Sequence, residues 1–212
     1  MVREHGSPTL FLTLSCAEYE SIEISNYLRK VNDVAESYPA GRLCTEDPIS
    51  VSRKFSQKFY DFFQTVILKG QALGPVAHYF YKKEYQARGA PHYHIILWIE
   101  GAPVAGKDEP ECVLPWIQRR ITCRISDQHT NPELHQLVTK YQYHKCSGYC
   151  QRRRKVKGTF ITYCKFGFPR ATCESATLRP VSECLKSSQR QIYKLPRSPE
   201  EIRINNYNPL LL

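Results

Sequence analysis

Two alternating apolar runs separated by a short turn restrict the fold of this chain more than any other feature. Residues 76–84 (VAHYFYKKE) and 92–100 (HYHIILWIE) alternate in the manner of strands, and Arg88-Gly89-Ala90-Pro91 between them has turn composition. They are expected to pair as an antiparallel hairpin with a longish loop. Alternate residues of a strand share a face, so His92 and His94 point the same way from one rigid element. Two imidazoles so placed can hold a divalent cation, and a third ligand would complete the site. Glu84 lies eight residues before His92 on the preceding strand, where a hairpin partner reaches that face. Gln86 shares the face, two residues closer to the turn. A plainer reading makes one histidine a hydrogen-bonded core residue and the other a surface residue. The residues alone leave both readings open.

Around the hairpin, residues 9–15 (TLFLTLS) read as a buried strand. Asp47-Pro48 has the form of a helix start, with Asp as cap and Pro in the first turn. Val51, Phe55, Phe59, Phe62 and Val66 recur at helical spacing, so a helix is expected over 51–69 with its phenylalanines in the core. A short helix is expected over 115–125. Residues 101–107 spell GxxxxGK, the start of a phosphate-binding loop. Asp108 stands where the magnesium-binding hydroxyl would be, Pro103 removes one cradling N–H, and Glu109-Pro110-Glu111 is expected to break any following helix. The segment reads as a surface loop, without ATPase function.

From residue 139 the composition turns to Cys, His, Lys, Arg and aromatics. His144, Cys146, Cys150 and Cys164 supply four soft or borderline ligands within twenty-one residues, a set that tetrahedral Zn²⁺ takes readily. The spacing matches no standard finger, so zinc and scattered structural thiols both remain open. Arg152, Arg153, Arg154, Lys155 and Lys157 would form a loop between the ligand pairs, and Cys173 and Cys184 read as ordinary thiols. The basic loop suits a phosphate backbone, with Tyr149, Phe160, Tyr163 or Phe166 available to stack on unpaired bases. A solvated basic turn is the alternative.

The bulk figures agree with a polyanionic partner. Lys and Arg total 30 against 20 acidic residues in 212, a net charge of +10. No apolar run approaches the roughly 20 residues that span a bilayer, and the first residues lack the order of a signal peptide. Nine widely spread cysteines, an odd number, fit an intracellular reducing compartment.

FLTLS followed by GAPHYHIILWI resembles the first two motifs of HUH endonucleases, the rolling-circle replication initiators and their relatives. The longer run EYQARGAPHYHIILW, the opening GSPTLFLTLSCAEY and the closing YNPLLL resemble the amino-terminal "helicase-like" domain of Helitron transposases. The segment CKFGFPR is similar to the end of the His/Cys-rich stretch in those domains, which raises the expectation of zinc; Cys146 stands where relatives often have a second histidine. The resemblance implies adjacency of the FLTLS and HYHIILW strands. It also implies a metal site of His92, His94 and Glu84, the glutamate preferred over Gln86 because viral initiators carry one eight residues before the first histidine. Mg²⁺ or Mn²⁺ held there would polarise a phosphodiester for attack by a tyrosine, leaving a 5′-phosphotyrosine and a free 3′-hydroxyl. Imidazole ligation favours Mn²⁺ in affinity, and cellular availability favours Mg²⁺. In the family the tyrosine motif follows YNPLLL, so the nucleophile is expected beyond Leu212 and the chain alone is expected to bind metal and DNA without cleaving. Tyr141, Tyr143, Tyr163 and Tyr193 fall in the wrong region for that motif.

The expected fold class is α+β: a central antiparallel sheet with flanking helices, HUH endonuclease-like, plus a small Cys/His zinc-binding insertion. The expected divisions are a core over 1–138, the insertion over 139–172 and a C-terminal segment over 173–212. The expected function is the metal-binding part of a Helitron-like nickase and strand transferase acting on single-stranded DNA, with no membrane partner and with nuclear residence. The other function class is a catalytically silent, zinc-stabilised nucleic-acid-binding module or decayed transposon fragment. A zinc hydrolase or deaminase is disfavoured, because the sequence lacks their His-Glu motifs.

Overall fold

The computed structural model describes residues 1–16, 18–85, 91–179 and 192–212. The chain is α+β with antiparallel sheets, and it divides into two compact units, Met1–Ala102 and Pro103–Leu212. The divisions at 138 and 172 follow composition, whereas these units follow packing.

The first unit contains α1 (Val2–His5), β1 (Leu10–Ser15), α2 (Ile22–Asn32), α3 (Ala40–Glu46), α4 (Pro48–Phe62), β2 (Val76–Tyr85) and β3 (Pro91–Ile99). The three strands form one antiparallel sheet in the order β1-β3-β2. The hairpin partners are therefore neighbours, and the FLTLS strand lies beside the histidine strand. In β3, Tyr93, Ile95 and Leu97 are buried, while His92, His94 and Ile96 alternate to the other face. Tyr93 stacks on Phe59 of α4, ring centroids 3.6 Å apart and 3° from parallel. Burying one such ring contributes about 1.5–3 kcal/mol. Lys83, on the same face as Tyr93, donates to Ser52 Oγ at 2.8 Å and Ser56 Oγ at 2.7 Å on α4. One face of the sheet is thus sealed by α4, and a second apolar cluster of Ile24, Leu28, Leu43, Cys44 and Val51 joins α2, α3 and α4.

Helix α4 starts as its sequence requires: Asp47 accepts from Ser50 N at 3.0 Å, with Pro48 in the first turn. Its far end corrects the single helix expected over 51–69. A π-helical stretch, Phe63–Lys69, follows α4, and Gly70 N donates to Thr65 O at 2.9 Å, five residues back. The wider turn rotates the face, so the buried residues are Phe59, Phe63 and Ile67 while Phe62 and Val66 are only partly covered.

The second unit contains α5 (Pro110–Gln118), α6 (Pro132–Leu137), a π-helical stretch (Val138–Gln142), β4 (Gln151–Val156), β5 (Thr159–Cys164), β6 (Thr177–Leu178), β7 (Tyr193–Lys194) and a 3-10 turn (Pro199–Glu201). Helix α5 corrects two expectations, a helix over 115–125 and a break at Glu109-Pro110-Glu111. Pro110 occupies the first turn, where its missing N–H is no loss. Before it, the Asp108 carboxylate accepts from Val104 N, so the GxxxxGK segment closes on itself. Val138, Ile204 and Tyr207 form a local core, and Tyr207 OH donates to Arg124 O at 2.8 Å. Among the described residues no helix is long and apolar enough to cross a membrane.

Candidate metal centres

The first centre stands on the open face of the three-stranded sheet. Register places Glu84 opposite His92, and His94 between Lys82 on β2 and Thr13 on β1. His92 Nε2 and His94 Nε2 lie 2.7 Å apart. Glu84 Oε2 is 3.3 Å from His94 Nε2 and 4.0 Å from His92 Nε2. Adjacent ligands on an octahedral ion with bonds of about 2.1 Å lie about 3 Å apart, so the donor spacing fits one cation. Side-chain exposures of 18% for His92, 32% for His94 and 41% for Glu84 leave the site open to a substrate. The plainer reading, with the two histidines in different surroundings, is not what the fold does. Thr13 Oγ1 lies 3.3 Å from His94 Nδ1, which orients the ring with Nε2 facing the cluster. Lys82 Nζ lies 2.9 Å from Glu84 Oε1, and this contact holds the Glu84 carboxyl below the usual carboxylate range, with smaller help from His94 and His92. Gln86 lies outside the described residues.

The second centre gathers His144, Cys146, Cys150 and Cys164 in the second unit, their donor atoms all within 4.8 Å of one another. Cys164 Sγ lies 3.3 Å from His144 Nε2. The Cys150 sulfur accepts from Ser147 N at 3.2 Å. Gly167, at φ 75, turns the chain after Cys164, a conformation that other residues reach only with strain. Phe168 then stacks on His144 at 4.3 Å. Burial pushes the Cys146 thiol up, with Arg203 pulling the other way. At Cys164 burial acts in the same sense, but the backbone N–H groups of Phe168 and Phe166 and the neighbouring thiols outweigh it and hold the group below its ordinary value. The set can hold a metal such as zinc.

Residues 1–97 match the family model described as the Helitron helicase-like domain at N-terminus. The stretch 1–97 is a Helitron helicase-like N-terminal domain. No curated protein matches the chain. All three members of the first centre lie within the Helitron-like domain, and all four of the second lie beyond it.

Of the basic residues, Arg152, Arg153, Arg154 and Lys155 lie on strand β4, a correction of the expected loop, and Lys157 sits in the turn at φ 47. Period-two apolar patterning was missing because both faces of this strand are exposed, so no alternation is imposed on it. Cys173 stands outside the cluster and its Sγ donates to Ser175 O, while Cys184 lies outside the described residues. Sequence reasoning missed Thr13, Lys82 and Phe168. Thr13 is found only from strand register and Phe168 only from the turn at Gly167, whereas alternation along β2 already put Lys82 on the face of Glu84.

Proposed function

We propose that the Helitron-like domain is the metal-binding part of an HUH-type endonuclease that nicks and transfers single-stranded DNA in rolling-circle transposition. The observation that carries this reading is the convergence of His92 Nε2, His94 Nε2 and Glu84 Oε2 on an open sheet face. Mg²⁺ or Mn²⁺ bound there would polarise the scissile phosphodiester. His92, His94 and Glu84 would hold it, Thr13 would keep the His94 ring in place, and the exposed side of the cluster would admit the DNA strand. In the second unit, the cysteine centre would hold Zn²⁺ as a structural ion, and Arg152, Arg153, Arg154, Lys155 and Lys157 would bind DNA phosphates. The nucleophilic tyrosine is assigned to none of the described residues. Nuclear residence follows from the DNA substrate alone.

Calorimetric titration with MnCl₂, together with elemental analysis, tests the reading. The wild-type chain is expected to bind Mn²⁺ and to carry about one equivalent of zinc. His92→Ala with His94→Ala is expected to abolish the Mn²⁺ heat and leave zinc unchanged. A wild-type chain that keeps zinc but gives no Mn²⁺ binding would favour the second reading, a silent zinc-stabilised nucleic-acid-binding module. That reading draws on the cysteine cluster, which stands without the histidine pair.

A further inference from the structure

The β4–β5 ribbon commits neither face to the protein interior. All six residues of β4 and the first five of β5 are exposed. Cross-strand pairing sets Arg152 opposite Tyr163 and Arg154 opposite Ile161 on one face, and Arg153 opposite Thr162 and Lys155 opposite Phe160 on the other. The Arg154 guanidinium lies 5.2 Å from the Tyr163 ring centroid, and that of Arg153 lies 5.5 Å from the Phe160 centroid. Both faces therefore carry cations and an aromatic ring, and residues 151–164 contain no acid. A lone two-stranded hairpin is marginal in water. This one is tied at its root, because Cys150 precedes β4, Cys164 ends β5, and both belong to the cysteine cluster.

A ribbon lying on a flat anionic surface would use one cationic face and leave the other in water. One entering a groove walled by phosphates would use both. The major groove of duplex DNA, about 12 Å wide, admits a two-stranded β-ribbon. We propose that this ribbon enters the major groove of duplex DNA with the cations of each face turned to one wall, held rigid at its root by the metal of the cysteine cluster. The proposal rests on reading the chain as a DNA-processing protein, but it does not depend on the His92–His94 centre. It assigns the chain a hold on duplex DNA in addition to the single strand proposed at that centre.

Fluorescence anisotropy with the full, zinc-loaded chain and a short labelled duplex tests it. Arg152→Gln with Arg154→Gln empties one face; Arg153→Gln with Lys155→Gln empties the other. Each pair is expected to weaken binding about tenfold or more and to flatten the slope of log K against log salt by about two. Zinc content and circular dichroism should stay unchanged, since these side chains are exposed. Methyl green, which fills the major groove, is expected to displace the chain, and the minor-groove binder distamycin is not. Weakening by only one of the two pairs overturns the proposal, as does competition by distamycin alone. Equal affinity for the single strand, with equal losses in both variants, overturns it as well. All arms omit added Mn²⁺ and Mg²⁺, so their failure bears on the ribbon, while the MnCl₂ titration bears on the histidine centre.

Discussion

The two ligand clusters rest on different kinds of support. Glu84, His92 and His94 project from a sheet whose opposite face is packed by Phe59 and Phe63, so apolar burial sets their positions without help from a cation. His144, Cys146, Cys150 and Cys164 lie around an exposed ribbon, and the apolar cluster beneath them consists of Cys150, Cys164 and Phe168 with Cys146 against it. Three of those four are ligand candidates themselves. A cation would therefore be a guest in the first centre and a structural member of the second. The donors agree with that division: imidazole and carboxylate suit an exchangeable hard or borderline ion, and thiolates suit a resident zinc.

The contrast can be broken most directly by removing metal. Chelation is expected to abolish amide protection across β4–β5 in hydrogen exchange, a loss of several kcal/mol, because binding energy in such a site is folding energy. Amides of the β1-β3-β2 sheet should keep their protection, and parallel loss in both units would end the distinction. The converse substitution, Phe59→Ala, should cost the first unit about 3–5 kcal/mol through the cavity left under Tyr93. Denaturant unfolding followed by exchange at β3 reads that loss, with zinc content expected to hold.

A third prediction separates the part of the second unit around the cysteine cluster from the rest of it. Glu201 is buried, and it accepts from Ser198 N at 2.9 Å, Ile125 N at 3.1 Å and Arg124 Nη1 at 2.9 Å. Burial alone would raise its pKa, but the backbone donors and Arg124 outweigh burial and hold it below the ordinary value. A folded value below the unfolded one adds stability in full above about pH 4.3, and that stability is lost as pH falls through the folded value. Glu201→Gln should cost about 1–3 kcal/mol at neutral pH and flatten the acid limb of the stability profile, without loss of zinc. An unchanged acid limb would remove Glu201 as its source. The smallest effect on stability is expected from Thr13→Val, within about 0.5 kcal/mol. Mn²⁺ affinity by calorimetry should nonetheless fall about tenfold as the His94 ring loses its partner. Unaltered affinity would show that the sheet alone orients the ring.

Local signals were readable where one physical rule decides them. The cap at Asp47-Pro48, the alternation in β2 and β3, and the shared face of His92 and His94 all depend on neighbours within a few residues. The eight-residue spacing of Glu84 and His92 became a cross-strand pair because a hairpin ties register to separation. Misreadings arose where a residue's usual habit gave way to its position. Pro110 opened a helix instead of stopping one, Phe62 left the core at a π-helical turn while Phe63 stayed in it, and the arginines from 152 to 154 lie on a strand whose two exposed faces impose no alternation.

The order of amino acids determined which side chains of the hairpin share a face and which donor types each metal centre offers, since period and chemistry are properties of the chain itself. Tertiary structure decided that Thr13 would face His94 and that Cys164 would close on His144 twenty residues away. Alternation sets the direction of a side chain without naming the strand beside it. Pairing of β1 with β3 brings Thr13 to His94, and the β4–β5 hairpin returns the chain to Cys164, within reach of His144.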